Sequence, residues 1–136
     1  MKRDVSERGA TTRVFVYGTL LKGEGNHDVL GGSVLVGGGR TLPCFALHDL
    51  GAFPGLVADG KHAVDGEVYA VGPDVLARLD KLEGHPKFYR RTPIVLEGGS
   101  VVETYLLPSN RVAGSSIIKT GSWRKHRKEL KLCGSK

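Results

Sequence analysis

The chain has 136 residues, a length typical of a single domain with one hydrophobic core. Its 40% of hydrophobic and 25% of charged residues are usual for a globular protein, whereas its 20 glycines are about twice the usual share. No apolar run approaches the roughly 20 residues that a membrane helix needs, and the polar start lacks the hydrophobic stretch of a secretory signal, so we expect a cytoplasmic protein without a membrane partner.

The cysteines and histidines do not predict a metal centre. The two cysteines, Cys44 and Cys133, lie far apart and form no CxxC motif, so we predict neither a disulfide nor a zinc site. The five histidines share no metal-ligand spacing. We therefore expect no metal site and two plain thiols.

The positive charge is confined to the C-terminal end. The net charge is +6, yet residues 1–118 hold 13 basic and 13 acidic side chains, whereas 119–136 hold seven and one. We divide the chain into a disordered leader (1–12), a single domain (13–118) and a basic C-terminal tail (119–136). The tail either meets phosphates, as nucleic-acid-binding segments do, or forms a solvated terminal helix or a disordered end. The balanced charge of the remainder argues against a nucleic-acid partner.

The first half of the chain predicts strands that are interrupted by glycine. RVFVYG (13–18) predicts a short β-branched strand. After a glycine-rich loop, NHDVLGG predicts a short helical turn with Asn26 as its cap. The stretch 33–48 predicts a bent or bulged strand pair, because three consecutive glycines interrupt an otherwise apolar run. FPG (53–55) predicts a turn.

The second half predicts one main helix and a hairpin. AVDGEVYAV (63–71) alternates as a half-buried strand does. PDVLARLDKLE (73–83) predicts a helix with a proline near its start, an apolar face and Gly84 at its end. YRRTPIVLE (89–97) and VVETYLLP (101–108) predict two strands joined at Gly98-Gly99. We predict an α+β fold: a small mixed six-stranded β-barrel with one main helix packed beside it.

Gly18 directly follows the first strand, and two interpretations of this position are open. The backbone amides of Gly18, Thr19 and Leu20 can converge on an anion, as successive N–H groups do in nests. Alternatively, the strand ends in an ordinary turn. No P-loop or dinucleotide fingerprint is indicated, because the GxxxxGK[ST] and GxGxxG patterns are missing after this strand.

Glu83 ends the predicted helix, which is an unfavourable place for a carboxylate. The unpaired carbonyl groups of the last helical turn would raise its pKa, whereas Arg90 and Arg91 would lower it, so the net direction is open. A glutamate at a helix end is also commonplace on protein surfaces. No GxSxG motif is present and neither cysteine has the context of a nucleophile, which weakens the case for covalent acyl transfer.

Three motifs follow one another along the chain: YGTL (17–20), GEVY (66–69) and LDKLEGHPKFYRR (79–91), the last fitting LDxxEGxPxxYxR. In this order and spacing they resemble the γ-glutamylcyclotransferase-like family, particularly its γ-glutamylamine cyclotransferase branch. Asn26-His27 after the loop and Tyr105 in the last strand fit as well. The resemblance covers about residues 14–107.

This resemblance implies a cofactor-free enzyme that acts on a small-molecule γ-glutamyl substrate. The free α-amine of the substrate attacks its own γ-carbonyl, which expels an amine and leaves 5-oxoproline, so that the protein supplies no nucleophile. The general acid/base corresponds to Glu83. The substrate-binding residues that the resemblance implies are Tyr17, Gly18, Thr19, Leu20, Pro54, Gly55, Tyr89 and Tyr105.

Alternatives remain for several residues and for the function. The three tyrosines are equally expected as packing residues. The glycine run 37–39 and the basic tail depart from the family pattern and leave the leaving amine open: an alkylamine, the side-chain amine of a lysine, an amino acid or an acylated antibiotic intermediate. The alternative function is a non-catalytic module that binds γ-glutamyl or carboxylate ligands, against which the presence of Glu83 argues.

Overall fold

Eight strands and two α-helices make up the computed structural model, which describes the backbone of residues 10–134 and side chains as far as residue 131. The strands are β1 (Thr12–Val16), β2 (Val34–Arg40), β3 (Phe45–Asp49), β4 (Pro54–His62), β5 (Asp65–Val71), β6 (Arg90–Val95), β7 (Val101–Leu106) and β8 (Ser116–Ile117). The helices are α1 (Pro73–Glu83) and α2 (Trp123–Gly134), and 3-10 turns span His27–Leu30 and Ser109–Val112. The predicted leader lies outside the described residues as far as residue 9, and Thr12 already belongs to β1.

The larger sheet is mixed and has β1 at its centre. Its order is β2-β5-β1-β7-β6, with β1 antiparallel to β5 and parallel to β7. Val14, Phe15 and Val16 are all buried although they alternate between the two faces of the strand. A strand that is covered on both faces carries a continuous apolar run. This explains why residues 14–16 of β1 do not alternate between apolar and polar side chains.

The α+β class is confirmed, but the larger sheet of the predicted six-stranded barrel does not close. β3 pairs with β4 and β8 in a separate three-stranded sheet, so eight strands in two sheets replace the expected six in one. The edge strands of the larger sheet meet only at an isolated bridge between Thr41 and Leu96. The sheet therefore curls without closing. The two sheets are joined where the Leu107 amide donates to the Leu56 carbonyl oxygen, at 2.9 Å.

Two local predictions in the first half are corrected. Pro54 and Gly55 do not form a turn; they begin β4, where a proline is tolerated because it is the first residue of the strand. The turn lies just before them, closed by a 3.0 Å hydrogen bond from the Leu50 amide to the Phe53 carbonyl. In 33–48 the bulge is confirmed, between Leu35 and Gly37, but β2 and β3 belong to different sheets.

The helix and the hairpin of the second half form as predicted. α1 spans 73–83 and ends at Gly84, whose φ of 66° favours glycine. On the apolar face predicted for this helix, Leu79 is fully buried, whereas Leu82 is 42% exposed. β6 and β7 pair in register around Gly98-Gly99, and β5 lies where 63–71 predicts it.

Part of the basic segment packs against the sheets. The Trp123 side chain is 1% exposed, and the Asp65 amide donates to the Gly121 carbonyl at 2.8 Å. On α2, His126 pairs with Asp49 at 2.7 Å and Arg124 with Glu67 at 3.1 Å. The Asn26 side chain does not cap the 3-10 turn that follows it. Cys44 is an exposed free thiol, and no described helix is long and apolar enough to cross a membrane.

The burial of Trp123 generates the first prediction. Trp123→Ala should lower the free energy of unfolding by about 3–5 kcal/mol, because it removes a large core side chain and leaves a cavity. Lys125→Ala, on the exposed side of the same helix, should change it by no more than about 0.5 kcal/mol. Urea denaturation of both variants measures the difference. Equal effects would show that α2 does not contribute to the core.

Candidate active site

A cavity of about 340 Å³ opens between the loop after β1, the β3–β4 turn, the C-terminal end of α1 and the segment before β6. The residues that line it are Phe15, Val16, Tyr17, Gly18, Thr19, Leu20, Asn26, Ala52, Phe53, Pro54, Leu82, Glu83, Phe88, Tyr89 and Tyr105. The structure thus brings together eight of the nine residues that the sequence predicts for the site.

Gly55 is the predicted residue that does not line the cavity. A Cβ atom at this position would lie 2.6 Å from Leu107 Cδ1 and 3.0 Å from Leu50 Cδ1. A larger residue would displace these two leucine side chains, so glycine at this position lets β4 pack against them.

Gly18 is required by a close approach of a different kind. A Cβ atom on Gly18 would lie 2.5 Å from Cγ of Pro54, which leaves no room for any other residue. The loop after Gly18 is held by hydrogen bonds to Asn26, whose amide donates to the Thr19 carbonyl at 2.8 Å and whose side chain donates to Thr19 Oγ1 at 2.9 Å. His27 Nδ1 lies 3.0 Å from the Leu20 carbonyl oxygen. Asn26 thus fixes the loop on the wall of the cavity.

The loop carries three consecutive unsatisfied backbone donors. The amides of Gly18, Thr19 and Leu20 have no acceptor in the described part of the chain, and all three residues line the cavity. Backbone N–H groups that have no protein partner at a cavity wall are available to an external acceptor. An anion fits such a run.

Glu83 is the acidic group of the cavity. Its side chain is partly buried, and its carboxyl group has no hydrogen bond or ion pair among the described residues. Burial raises the pKa of Glu83 from 4.5 to about 7. The direction that the sequence leaves open is therefore upward, and its cause is desolvation rather than the helix end.

Neither of the two arginines that we considered lowers the pKa of Glu83. Arg90 is exposed. Arg91 binds Asp80 through Nε at 2.9 Å and Nη2 at 3.1 Å, and it reaches Glu103 at 3.3 Å. The positive charge of Arg91 is thereby compensated by two carboxylates other than Glu83.

Three tyrosine hydroxyl groups lie in the cavity, and each donates its proton to a protein acceptor. Tyr17 donates to the Tyr105 carbonyl at 2.6 Å, Tyr89 to the Pro54 carbonyl at 2.7 Å, and Tyr105 to Asp80 Oδ1 at 2.7 Å. Burial raises the pKa of all three hydroxyls, and the charge of Glu83 adds to the rise. They therefore stay protonated and have only lone pairs left for a ligand.

The outer part of the cavity is apolar, which the sequence did not predict. Ala52 and Leu82 are exposed and Phe53 and Phe88 are partly exposed, and we call these four residues the apolar mouth. Phe53 and Phe88 pack edge to face with ring centroids 6.4 Å apart. The position of the two phenylalanines in the sequence could have identified them, since each directly precedes a predicted site residue.

Charged groups are scarce around this mouth. Of the described residues that line the cavity, only Glu83 is charged. The Arg111 guanidinium lies 4.9 Å from the Phe88 ring centroid, but Arg111 does not line the cavity. Among the described residues, no three side chains of histidine, cysteine, aspartate or glutamate cluster as metal ligands would.

Comparison with known proteins places this site in a family. A Vibrio cholerae protein that is provisionally named as a gamma-glutamylcyclotransferase is 46% identical over 110 residues, covering 81% of this chain and 93% of that protein. The crystal structure of a uropathogenic E. coli-specific protein has a TM-score of 0.77 at 28% identity, covering 88% and 97% of the two chains. An AIG2-like protein from Mus musculus has a TM-score of 0.72 at 27% identity, covering 80% and 86%.

The family model described as "Gamma-glutamyl cyclotransferase, AIG2-like" matches residues 14–125, which extends past the range of the sequence motifs into α2. This match includes every residue that lines the cavity. The chain therefore belongs to the AIG2-like gamma-glutamyl cyclotransferase family.

Proposed function

We propose that the protein is a γ-glutamylcyclotransferase that releases 5-oxoproline and an amine from a γ-glutamyl amine, with Glu83 as general acid/base. The observation that carries this proposal is the carboxyl group of Glu83, which lies in the cavity without a partner and has a pKa near neutrality. A group with such a pKa can both take up and release a proton at physiological pH.

The substrate fits the cavity with its amino-acid end toward the loop 17–20. Its α-carboxylate would accept hydrogen bonds from the backbone amides of Gly18, Thr19 and Leu20. The same amides would share in stabilising the oxyanion that forms on the attacked carbonyl group. Its α-ammonium would face Glu83 and the lone pairs of the tyrosine hydroxyls. This orientation directs the scissile amide and the leaving amine toward the apolar mouth.

Catalysis then needs one proton acceptor and no nucleophile from the protein. Glu83 takes a proton from the α-ammonium, the freed amine attacks the γ-carbonyl carbon, and the C–N bond to the leaving amine breaks. The proton held by Glu83 passes to that departing nitrogen, which regenerates the carboxylate. The attacking nitrogen still carries one proton more than the amide of 5-oxoproline, so Glu83 takes this second proton and passes it to the released amine, which leaves as an ammonium ion. Attack within a forming five-membered ring exploits proximity, which can contribute on the order of 7–11 kcal/mol.

The raised pKa of Glu83 makes the first proton transfer inexpensive. An α-ammonium has a pKa of about 8, so transfer to a carboxylate with the ordinary value of 4.5 would cost about 5 kcal/mol. With a Glu83 pKa of about 7 the cost falls to about 1.4 kcal/mol. Burial of the carboxyl group thus lowers the cost of this first proton transfer by roughly 3 kcal/mol.

The apolar mouth favours an amine over an amino acid as leaving group. In a γ-glutamyl amino acid, a carboxylate sits on the carbon next to the scissile nitrogen. No lining cation would compensate this charge, and the Glu83 carboxylate would repel it. Burying an unpaired charge beside apolar side chains is costly, so the site selects leaving groups without a carboxylate there.

The role of Glu83 is tested by Glu83→Gln, which keeps the shape of the side chain and removes its acid/base function. We expect turnover to fall by about 10²- to 10⁴-fold, whereas the exposed Glu129→Gln variant should keep full activity. Release of 5-oxoproline from γ-glutamyl amines, γ-glutamyl dipeptides and γ-glutamyl-lysine is followed by mass spectrometry. Full activity of Glu83→Gln would remove Glu83 from the mechanism. If no substrate reacts but γ-glutamyl ligands raise the Tm, the protein is a binding module.

The same variant should reveal the raised pKa through stability. Because the folded pKa of about 7 exceeds the ordinary 4.5, the folded protein holds this proton more tightly than the unfolded chain and loses stability as the pH rises between these values. Glu83→Gln carries no such charge. It should match the wild type below about pH 4.5 and exceed it by about 3 kcal/mol at pH 8.

Urea denaturation across pH 4–8 measures this difference between the two proteins. Glu129→Gln serves as the control, and its stability relative to the wild type should not depend on pH in this way. A constant difference between Glu83→Gln and the wild type would mean that the carboxyl group is solvated and its pKa ordinary.

The leaving-group preference is tested with a matched pair of substrates. γ-Glutamyl-phenethylamine is γ-glutamyl-phenylalanine without its carboxylate, and its kcat/KM should be at least about tenfold higher, equivalent to about 1.4 kcal/mol. Leu82→Lys, which adds a cation at an exposed position of the mouth, should narrow that ratio, and Leu82→Gln should not. Equal kcat/KM values for the two substrates in the wild type would contradict the preference.

A further inference from the structure

The proton of a tyrosine hydroxyl can be donated to only one strong acceptor at a time. Around Glu83, Tyr17 and Tyr89 donate theirs to the backbone carbonyls of Tyr105 and Pro54. Backbone positions are fixed by the sheets, so these two hydroxyls are committed by the fold itself. Tyr105 differs, because its acceptor is a side chain, that of Asp80.

Asp80 is well placed to hold the Tyr105 proton. It precedes Glu83 by three residues on α1, which puts the two carboxyl groups on neighbouring parts of one helix face. Asp80 Oδ1 accepts from Tyr105 at 2.7 Å and from Arg91 Nε at 2.9 Å, and Oδ2 accepts from Arg91 Nη2 at 3.1 Å. Although burial acts to raise it, the hydrogen bonds from Arg91 and Tyr105 lower the pKa of Asp80, which is therefore an anion at neutral pH.

Arg91 is itself fixed from several sides. Its guanidinium reaches Glu103 on β7 at 3.3 Å, and its backbone amide donates to His85 Nδ1 at 2.9 Å. The side chains of Asp80 and Arg91 are only about a quarter exposed, at 24% and 25%. The pair is thus a stable part of the wall behind the cavity.

We propose that Asp80 is a positioning residue, which keeps the Tyr105 proton turned away from Glu83 and so leaves the Glu83 carboxyl group without a hydrogen-bond donor. Its catalytic consequence rests on the proposed function, whereas its effect on the carboxyl group does not. If Asp80 were removed, the Tyr105 hydroxyl would donate its proton to the carboxylate of Glu83 instead. A hydrogen bond to a carboxylate is charge-assisted and favours the ionised form.

The titratable groups around Glu83 come from several elements. Tyr17 at the end of β1, Tyr89 before β6 and Tyr105 on β7 line the cavity together with Glu83. Asp80 on α1, together with Arg91, His85 and Glu103 behind it, forms the second layer of charge. Tyr105 is the tyrosine that links the two carboxyl groups, because its hydroxyl donates to Asp80 Oδ1 at 2.7 Å and it lines the cavity together with Glu83.

The test is a titration of the Glu83 carboxyl carbon by NMR in the full-length protein, which requires no substrate. Asp80→Ala should lower the Glu83 pKa by about 1, a tenfold weaker proton affinity, and Asp80→Ala/Tyr105→Phe should return it to the wild-type value. The double variant separates the Tyr105 proton from the alternative cause, a cation freed from Asp80, because Arg91 is present in both.

Asp80→Ala leaves Arg91 with one partner fewer, which can weaken the fold. Asp80→Ala/Arg91→Met removes the ion pair as a whole and should show the same lowered Glu83 pKa, with Arg91 no longer able to cause it. An unchanged Glu83 pKa in this variant or in Asp80→Ala would overturn the proposal. So would a low value that persists in Asp80→Ala/Tyr105→Phe.

The catalytic consequence is measured separately. In Asp80→Ala, the acid limb of the pH profile of kcat/KM should shift to lower pH, where the proton concentration is about tenfold higher. In Asp80→Ala/Tyr105→Phe it should return to its position in the wild type. A merely structural role of Asp80 would lower kcat/KM without moving the limb. Absence of 5-oxoproline from the wild type would overturn the proposed function while leaving the NMR outcome to decide on the Tyr105 proton.

Discussion

The contact between Gly18 and Pro54 is the constraint on which the site depends. Gly18 lies two residues after the central strand of the larger sheet, Pro54 begins β4 of the smaller one, and no Cβ atom fits between them. The two sheets meet here closely enough that the Pro54 carbonyl accepts the Tyr89 hydroxyl at 2.7 Å. The cavity lies beside this junction, so its wall is set by backbone positions rather than by flexible side chains.

Two carboxyl groups on α1 have opposite environments beside this junction. Asp80 is met by Arg91 and Tyr105, which lower its pKa, whereas Glu83 three residues later is buried without a donor, which raises its pKa to about 7. Environments that push neighbouring pKa values apart are a sign of assigned acid and base roles. The positive charge of Arg91 is balanced by the carboxylates of Asp80 and Glu103, and burial alone accounts for the raised pKa of Glu83.

The sequence predicts best where local chemistry decides. α1 begins at Pro73 and ends before Gly84 as expected, and the hairpin of β6 and β7 follows from Gly98-Gly99. The larger sheet does not close and the turn predicted at Pro54 is wrong, because a strand's partner is chosen by tertiary packing: β5 takes the place beside β2, and β4 pairs with β3.

The site shows the same limit. Eight of the predicted residues line one cavity, because the motifs of the family mark the segments that form it. Gly55 instead packs against Leu50 and Leu107, and no local sequence pattern predicts this contact. The pKa direction of Glu83 could not be read from the sequence, since it depends on where Arg91 finds its partners. Asp80 lies on α1, Glu103 on β7 and Arg91 on β6, so the three residues become neighbours only in the folded protein.

An open cavity is compatible with the proposed reaction for a kinetic reason. Water competes with the substrate's own amine for the γ-carbonyl, and many enzymes close a lid to exclude it. Here the attacking amine belongs to the same molecule, and effective molarities of about 10⁵–10⁸ M exceed any concentration that water can reach. A mouth in which Leu82 is 42% exposed therefore costs little through hydrolysis. The protein needs to orient one molecule and to move protons from its attacking nitrogen to its departing nitrogen, which a single carboxyl group can do in successive transfers.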